Sequence, residues 1–169
     1  IVVQAFPGVG WTAEEFRIQN LVASCLNGLA GPLFEEVRER HGLAYFSSTR
    51  LVSGVSGGLM AIVSGCERNQ AGFLADQVRR ILDRIGRDGF TESEWEAGLA
   101  QARSGLTLSR QRSGWRATRL AVRGVLGLEA DLGEADERFF SEVEPETVRR
   151  WCGKVFPASR ESRLSFLGR

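Results

Sequence analysis

The residues best suited to handling a polar substrate sit in one stretch, Phe34-Glu35-Glu36-Val37-Arg38-Glu39-Arg40-His41-Gly42-Leu43-Ala44-Tyr45. Arg38 falls in the last turns of an expected helix, and Tyr45 opens the following strand seven residues later. Gly42 between them permits a sharp reversal, so a guanidinium and a phenol can converge at a sheet edge. Such a pair supplies several hydrogen-bond donors. It suits holding a carbonyl or an oxyanion, not breaking a bond unaided. The same two residues also read as an ordinary helix-end arginine and an edge tyrosine. His41 is the one histidine of the chain, and beside a helix end it reads as a partner of the C-terminal dipole.

Two further patterns invite chemistry and yield simpler readings. Gly54-Val55-Ser56-Gly57-Gly58 matches the Gly-x-Ser-x-Gly nucleophile motif, which needs a helix after it and a histidine downstream. Here a strand is expected to follow and the histidine precedes Ser56, so the motif reads as a hairpin turn. Residues 97–128 hold no acid and six arginines, of which Arg112, Arg116, Arg119 and Arg123 share one helical face. With Trp115 nearby this face could bind phosphates or peptide. The next segment, 129–146, carries eight acids and only Arg138, however, so internal ion pairing is the expected state. Nucleic acid is not expected as a partner.

The elements that must carry these residues follow from spacing. Residues 1–6 read as a strand ended by Pro7-Gly8, and Thr12 with Glu15 forms a capping-box pattern for a helix to about Asn27. A short helix is expected over 33–40, its last turn favoured by Arg40 and His41. Strands are expected over 44–52 and 58–66, joined across residues 53–57. Ala71, Leu74, Val78, Ile81, Leu82 and Ile85 then mark one helical face, which Asp88-Gly89 ends. Thr91 and Glu94 form a second capping box for a helix that turns Trp95, Leu99, Ala102 and Leu106 inward. Helices over 113–128 and after Pro145 and a strand over 161–167 complete the order. The pattern predicts an α+β fold, a mostly antiparallel sheet with helices packed on one face.

Composition sets the limits. At 169 residues the chain suits a single domain, and 43% hydrophobic with 25% charged residues is ordinary for a globular one. A net charge of +1 excludes an overall polycation. No apolar run approaches the ~18 residues of a membrane span, and no signal peptide is recognised. One histidine and three scattered cysteines, Cys25, Cys66 and Cys152, supply no metal-ligand set, so no metal site is expected in this chain. The cysteines read as small core side chains.

The stretch Phe34–Tyr45 resembles the Leu-Phe-x-x-Leu-Arg-Glu-x-x-Gly-Leu-Ala-Tyr motif of the pitrilysin/insulinase family of zinc metallopeptidases, in the C-terminal half typical of processing-peptidase-like members. Gly57-Gly58-Leu59, the run Gly89-Phe90-Thr91-Glu92-Ser93-Glu94-Trp95 and Val-Glu-Pro-Glu-Thr-Val at 143–148 continue the likeness in order. Where the family often has Ser-Ser-Arg before Leu-Phe, this chain has Ala30-Gly31-Pro32. The resemblance implies a half-domain of a clamshell whose other half, or partner subunit, binds zinc through a His-x-x-Glu-His helix. By its implication residues 1–169 are one α+β domain, a fragment of a longer chain lacking its first strand or strands. Arg38 and Tyr45 would reach a peptide substrate near the partner's zinc, Gly42 would turn the chain between them, and this chain would hold no catalytic residue. The alternative it leaves is a purely structural, processing-peptidase-like core subunit.

Overall fold

A computed structural model describes residues 1–28, 30–40 and 42–166. The His41 side chain, the side chain of Arg40 and residue 167, each given a place above, lie outside the described residues. The chain folds as strand β1 (Val2–Gly8), helix α1 (Phe16–Asn27), a π-helix (Leu33–Arg40), strands β2 (Phe46–Ser53) and β3 (Gly58–Gly65), then helices α2 (Ala71–Asp88), α3 (Glu92–Gln111), α4 (Ser113–Val125), α5 (Glu134–Glu142) and α6 (Pro145–Val155), and strand β4 (Ser162–Ser165). The sheet runs β2-β3-β1-β4, with each neighbouring pair antiparallel. This is the α+β architecture the spacing predicts.

Register and pattern agree on which face is inward. Leu51–Met60–Phe6, Thr49–Ile62–Gln4 and Ser47–Ser64–Val2 line up across three strands, and Met60, Ile62, Phe6, Gln4 and Val2 are buried. Onto this face pack α1, with Leu21, Val22 and Leu26 fully buried, and α2, whose six marked apolar residues are all buried. Helix α6 and the residue that follows it close the core with Trp151 and Phe156, and Phe156 meets Phe6 edge to face at 5.3 Å. Gln4, buried in the sheet, donates to the Ala75 carbonyl and to Glu161, which also receives Arg79. One polar cluster therefore ties β1, α2 and the start of β4 together.

Several boundaries differ from expectation, each for a local reason. Strand β1 runs through Pro7 and Gly8, because Pro7 pairs with Leu59 without needing an N–H and Gly8 sits against Leu59 and Gln19. The Thr12–Glu15 capping box does not form: α1 starts at Phe16 without a side-chain cap, and the Thr12 hydroxyl donates to the Val55 carbonyl instead. The helix over 33–40 is a π-helix, whose hydrogen bonds reach one residue further along the chain than in α. Strand β2 begins at Phe46 instead of 44, and α4 stops at Val125 short of 128, where Gly127 turns with φ 67°. Helix α5 was not expected. It forms inside the acid-rich segment, with Glu134, Asp136 and Glu137 in its first turn, where acids favour the dipole. The second capping box does form: Thr91 Oγ1 accepts from Glu94 N, and Glu94 Oε2 accepts from Thr91 N.

Two close approaches fix the frame. Helices α1 and α3 cross at Gly98, where a Cβ would lie 2.3 Å from Cys25 Sγ. The free edge of β2 is covered by side chains: Asn27 bonds both the N–H and the carbonyl of Thr49, and Trp11 Nε1 donates to the Ser53 carbonyl at 2.7 Å.

Candidate functional site

The π-helix places Leu33 and Val37 in the core and leaves Arg38 exposed. At its end Gly42 adopts φ 57°, a left-handed conformation that side chains disfavour. The Gly42 N–H reaches the Arg38 carbonyl at 3.0 Å and the Leu43 N–H reaches the Val37 carbonyl at 3.0 Å. These bonds span one residue more than in an ordinary helix-ending glycine turn, as the wider π coil requires. The reversal sends Leu43 and Ala44 into the core, so Tyr45 emerges on the surface, 69% exposed. The Tyr45 N–H donates to the Gly65 carbonyl at 2.8 Å, fixing its backbone at the head of β2. Phe46 lies over Gly65, where a Cβ would meet the ring at 2.3 Å.

Arg38, Gly42 and Tyr45 thus occupy one corner, where the π-helix ends and edge strand β2 starts. The Arg38 guanidinium sits over the Phe34 ring, 5.2 Å from its centroid, and among the described residues no hydrogen bond joins it to the Tyr45 hydroxyl. Among the described residues neither group has a hydrogen-bond partner, and as surface donors both are suited to grip carbonyl or carboxylate oxygens. An ion-pair bridge missed by sequence reasoning steadies the corner from behind. Arg84 of α2 holds Glu94 with two bonds, 2.7 and 3.2 Å, and reaches Glu36 of the π-helix at 3.5 Å. Glu94 was legible as a cap, but its pairing with Arg84 depends on how α2 and α3 are set side by side.

The arginine-rich face is largely satisfied from within. Arg119 pairs with Asp131 and Asp136, Arg110 with Glu137, and Arg123 with Asp131, while Arg103 donates to the Phe140 carbonyl. Arg17 of α1 also binds Asp136, at 3.0 Å. Burial favours the neutral form of Asp131, but the Ala135 N–H, Arg119 and its other partners outweigh this and hold its carboxyl well below the usual carboxylate range. The Gly-x-Ser-x-Gly segment is a hairpin tip, closed by Gly54 N–H to the Gly57 carbonyl at 2.7 Å. Cys25 and Cys152 are buried and Cys66 is half-buried. Burial pushes the Cys25 thiol up to about 12, so it is an inert core group. Among the described residues no three of His, Cys, Asp and Glu gather as a metal-ligand group, so the described side chains do not fit a zinc ion. No helix among them is long and apolar enough to cross a membrane.

Comparison with known proteins identifies the frame around this corner. The family profile described as the peptidase M16 inactive domain matches residues 1–102. An uncharacterised zinc protease of Mycobacterium bovis is 31% identical over 114 residues, 68% of this chain and 26% of that protein. A second such zinc protease, from Streptomyces coelicolor, is 27% identical over 169 residues, 99% of this chain and 36% of the other. The chain therefore spans about a quarter to a third of the curated relatives it matches. In fold it resembles the crystal structure of a peptidase M16 inactive domain from Pseudomonas fluorescens, with a TM-score of 0.81 at 19% identity over 96% of this chain and 40% of that one. The family read from residues 34–45 and 89–95 is thereby met by profile, relatives and fold alike, and the chain belongs to the peptidase M16 inactive-domain family.

Proposed function

We infer that this domain is the non-catalytic, substrate-clamping half of a zinc metalloendopeptidase that cleaves peptides or unfolded segments. The zinc and its ligands would belong to a separate His-x-x-Glu-His half or subunit. The observation that carries the reading is the exposed corner, where a glycine turn presents the Tyr45 phenol and the Arg38 guanidinium as surface donors on a family frame whose described side chains gather no metal-ligand group. Tyr45 would donate to a carbonyl of the bound peptide, and Arg38 would orient the peptide through a carbonyl or carboxylate.

Steady-state kinetics on this domain reconstituted with its zinc-bearing half test the reading. Tyr45→Phe removes one hydroxyl and should lower kcat by roughly tenfold or more, on the scale of a lost oxyanion donor. Arg38→Ala should raise KM as well. Circular dichroism should show both variants folded, since exposed substitutions alter stability by about 0.5 kcal/mol or less. Wild-type kinetics in two folded variants would remove the pair from function. That outcome would favour the second reading, a purely structural subunit, for which the Arg38 guanidinium resting on its own Phe34 already speaks.

A further inference from the structure

At the end of the sheet opposite Tyr45, where Gly8, Gly58 and Ser53 lie abreast, a cavity of about 390 Å³ opens between the Trp11–Arg17 segment and α4. That volume lies within the ~300–1,000 Å³ typical of ligand-holding clefts. Trp11, Phe16, Trp115, Val122 and Leu126 form apolar walls. A shallower hollow of about 320 Å³ continues past Val55 and Val125, which are 63% and 88% exposed. No residue of α4 is buried, although its apolar side chains gather toward this cleft.

The charges around the cleft are uneven. Arg17, Arg119 and Arg123 in its lining are already neutralised by Asp131 and Asp136. Arg116 lies two turns before Arg123 on the same side of α4, about 10 Å along the axis, and Arg112 sits at the helix start. Among the described residues neither guanidinium makes an ion pair or hydrogen bond. An apolar cleft leading to two unpaired cations is complementary to an apolar group followed by anions. A second copy of this chain fits poorly, because Asp131, Asp136 and Glu137 at the heart of its acid-rich run are already tied to its own arginines.

We propose that this cleft docks a short peptide segment of a partner protein, in which a bulky apolar side chain seated between Trp11 and Trp115 is followed by carboxylates that meet Arg116 and Arg112. The site is separate from the Arg38–Tyr45 corner and does not depend on the clamp reading.

The test is fluorescence anisotropy on the 169-residue chain with three labelled peptides: Leu-Phe-Asp-Glu-Asp, Leu-Phe-Lys-Arg-Lys and Ala-Ala-Asp-Glu-Asp. The first should bind, and the other two should bind at least about tenfold more weakly. Arg112→Glu with Arg116→Glu should weaken the first peptide by about tenfold or more, the scale of two exposed ion pairs together. Thr118→Phe, which fills the cavity, should abolish binding, while Tyr45→Phe should leave it unchanged. Should Thr118→Phe not fold, the surface charge variants decide the matter alone. Equal binding of acidic and basic peptides, or indifference to the arginine reversals, would overturn the proposal. So would failure of the first peptide to bind, or a self-associating chain whose dimer, seen in sedimentation velocity, is dissolved by Val125→Glu.

Discussion

Replacing Glu94 by alanine strips two jobs from one carboxylate. Its Oε2 accepts the Thr91 N–H at 2.8 Å in the capping box, and both oxygens hold Arg84, at 2.7 and 3.2 Å. Losing the cap bond costs about 1 kcal/mol. The ion pair lies between two limits: exposed pairs contribute up to ~1 kcal/mol, and breaking a buried pair costs ~3–5 kcal/mol. With the Glu94 side chain 7% exposed and that of Arg84 25% exposed, about 2 kcal/mol is the reasonable middle. Glu94→Ala should therefore destabilise the domain by about 3 kcal/mol, lowering Tm by roughly 6–12 °C at this chain length. Glu94→Gln keeps a carbonyl for the Thr91 N–H and loses only the charge, so it should cost about half as much. Urea unfolding followed by circular dichroism measures both, and a double-mutant cycle with Arg84→Ala isolates the pair. A loss below about 1 kcal/mol in the alanine variant, or equal losses in the two variants, would refute the division of roles.

Acid should expose the Asp131 cluster. Because the folded carboxyl titrates well below its unfolded value of about 3.9, its stabilisation is complete above that pH and drains away as pH falls below it. Melts between about pH 2 and 6 should fall more steeply in wild type than in Asp131→Asn, and parallel curves would contradict the assignment. At the helix crossing, Gly98→Ala should cost about 1–3 kcal/mol by driving a methyl into Cys25, and Cys25→Ala should recover part of that loss in the double variant, read from denaturant midpoints.

Elements with a strong period were legible from the sequence. The face of α2 from Ala71 to Ile85, the Thr91–Glu94 box and the hairpin around Gly54–Gly57 depend on neighbours close in the chain, and each formed as spacing predicts. What escaped depended on distant partners. Thr12 and Glu15 carry a sound capping pattern, but Val55 across the hairpin takes the Thr12 hydroxyl and Trp11 is pinned to β2, so α1 starts later. Helix α5 is short and polar outside, and it is held by Arg17, Arg110 and Arg119 from three other helices. At the candidate site, Arg38, Gly42 and Tyr45 were visible as a motif. The longer hydrogen-bond span of the π coil was not, since no local composition signals it.

The two bonds that Asn27 makes to Thr49 let a single carboxamide imitate the backbone of an absent neighbouring strand. An unguarded strand margin is a template on which another chain can crystallise as added sheet, the first step towards fibrils. Here the template is spoiled at Thr49 and again at Ser53, so a foreign strand has no uninterrupted run of partners along the upper half of β2. An edge strand carrying Phe46, Thr49 and Val52 can in this way lie near the surface without inviting self-propagating assembly along it.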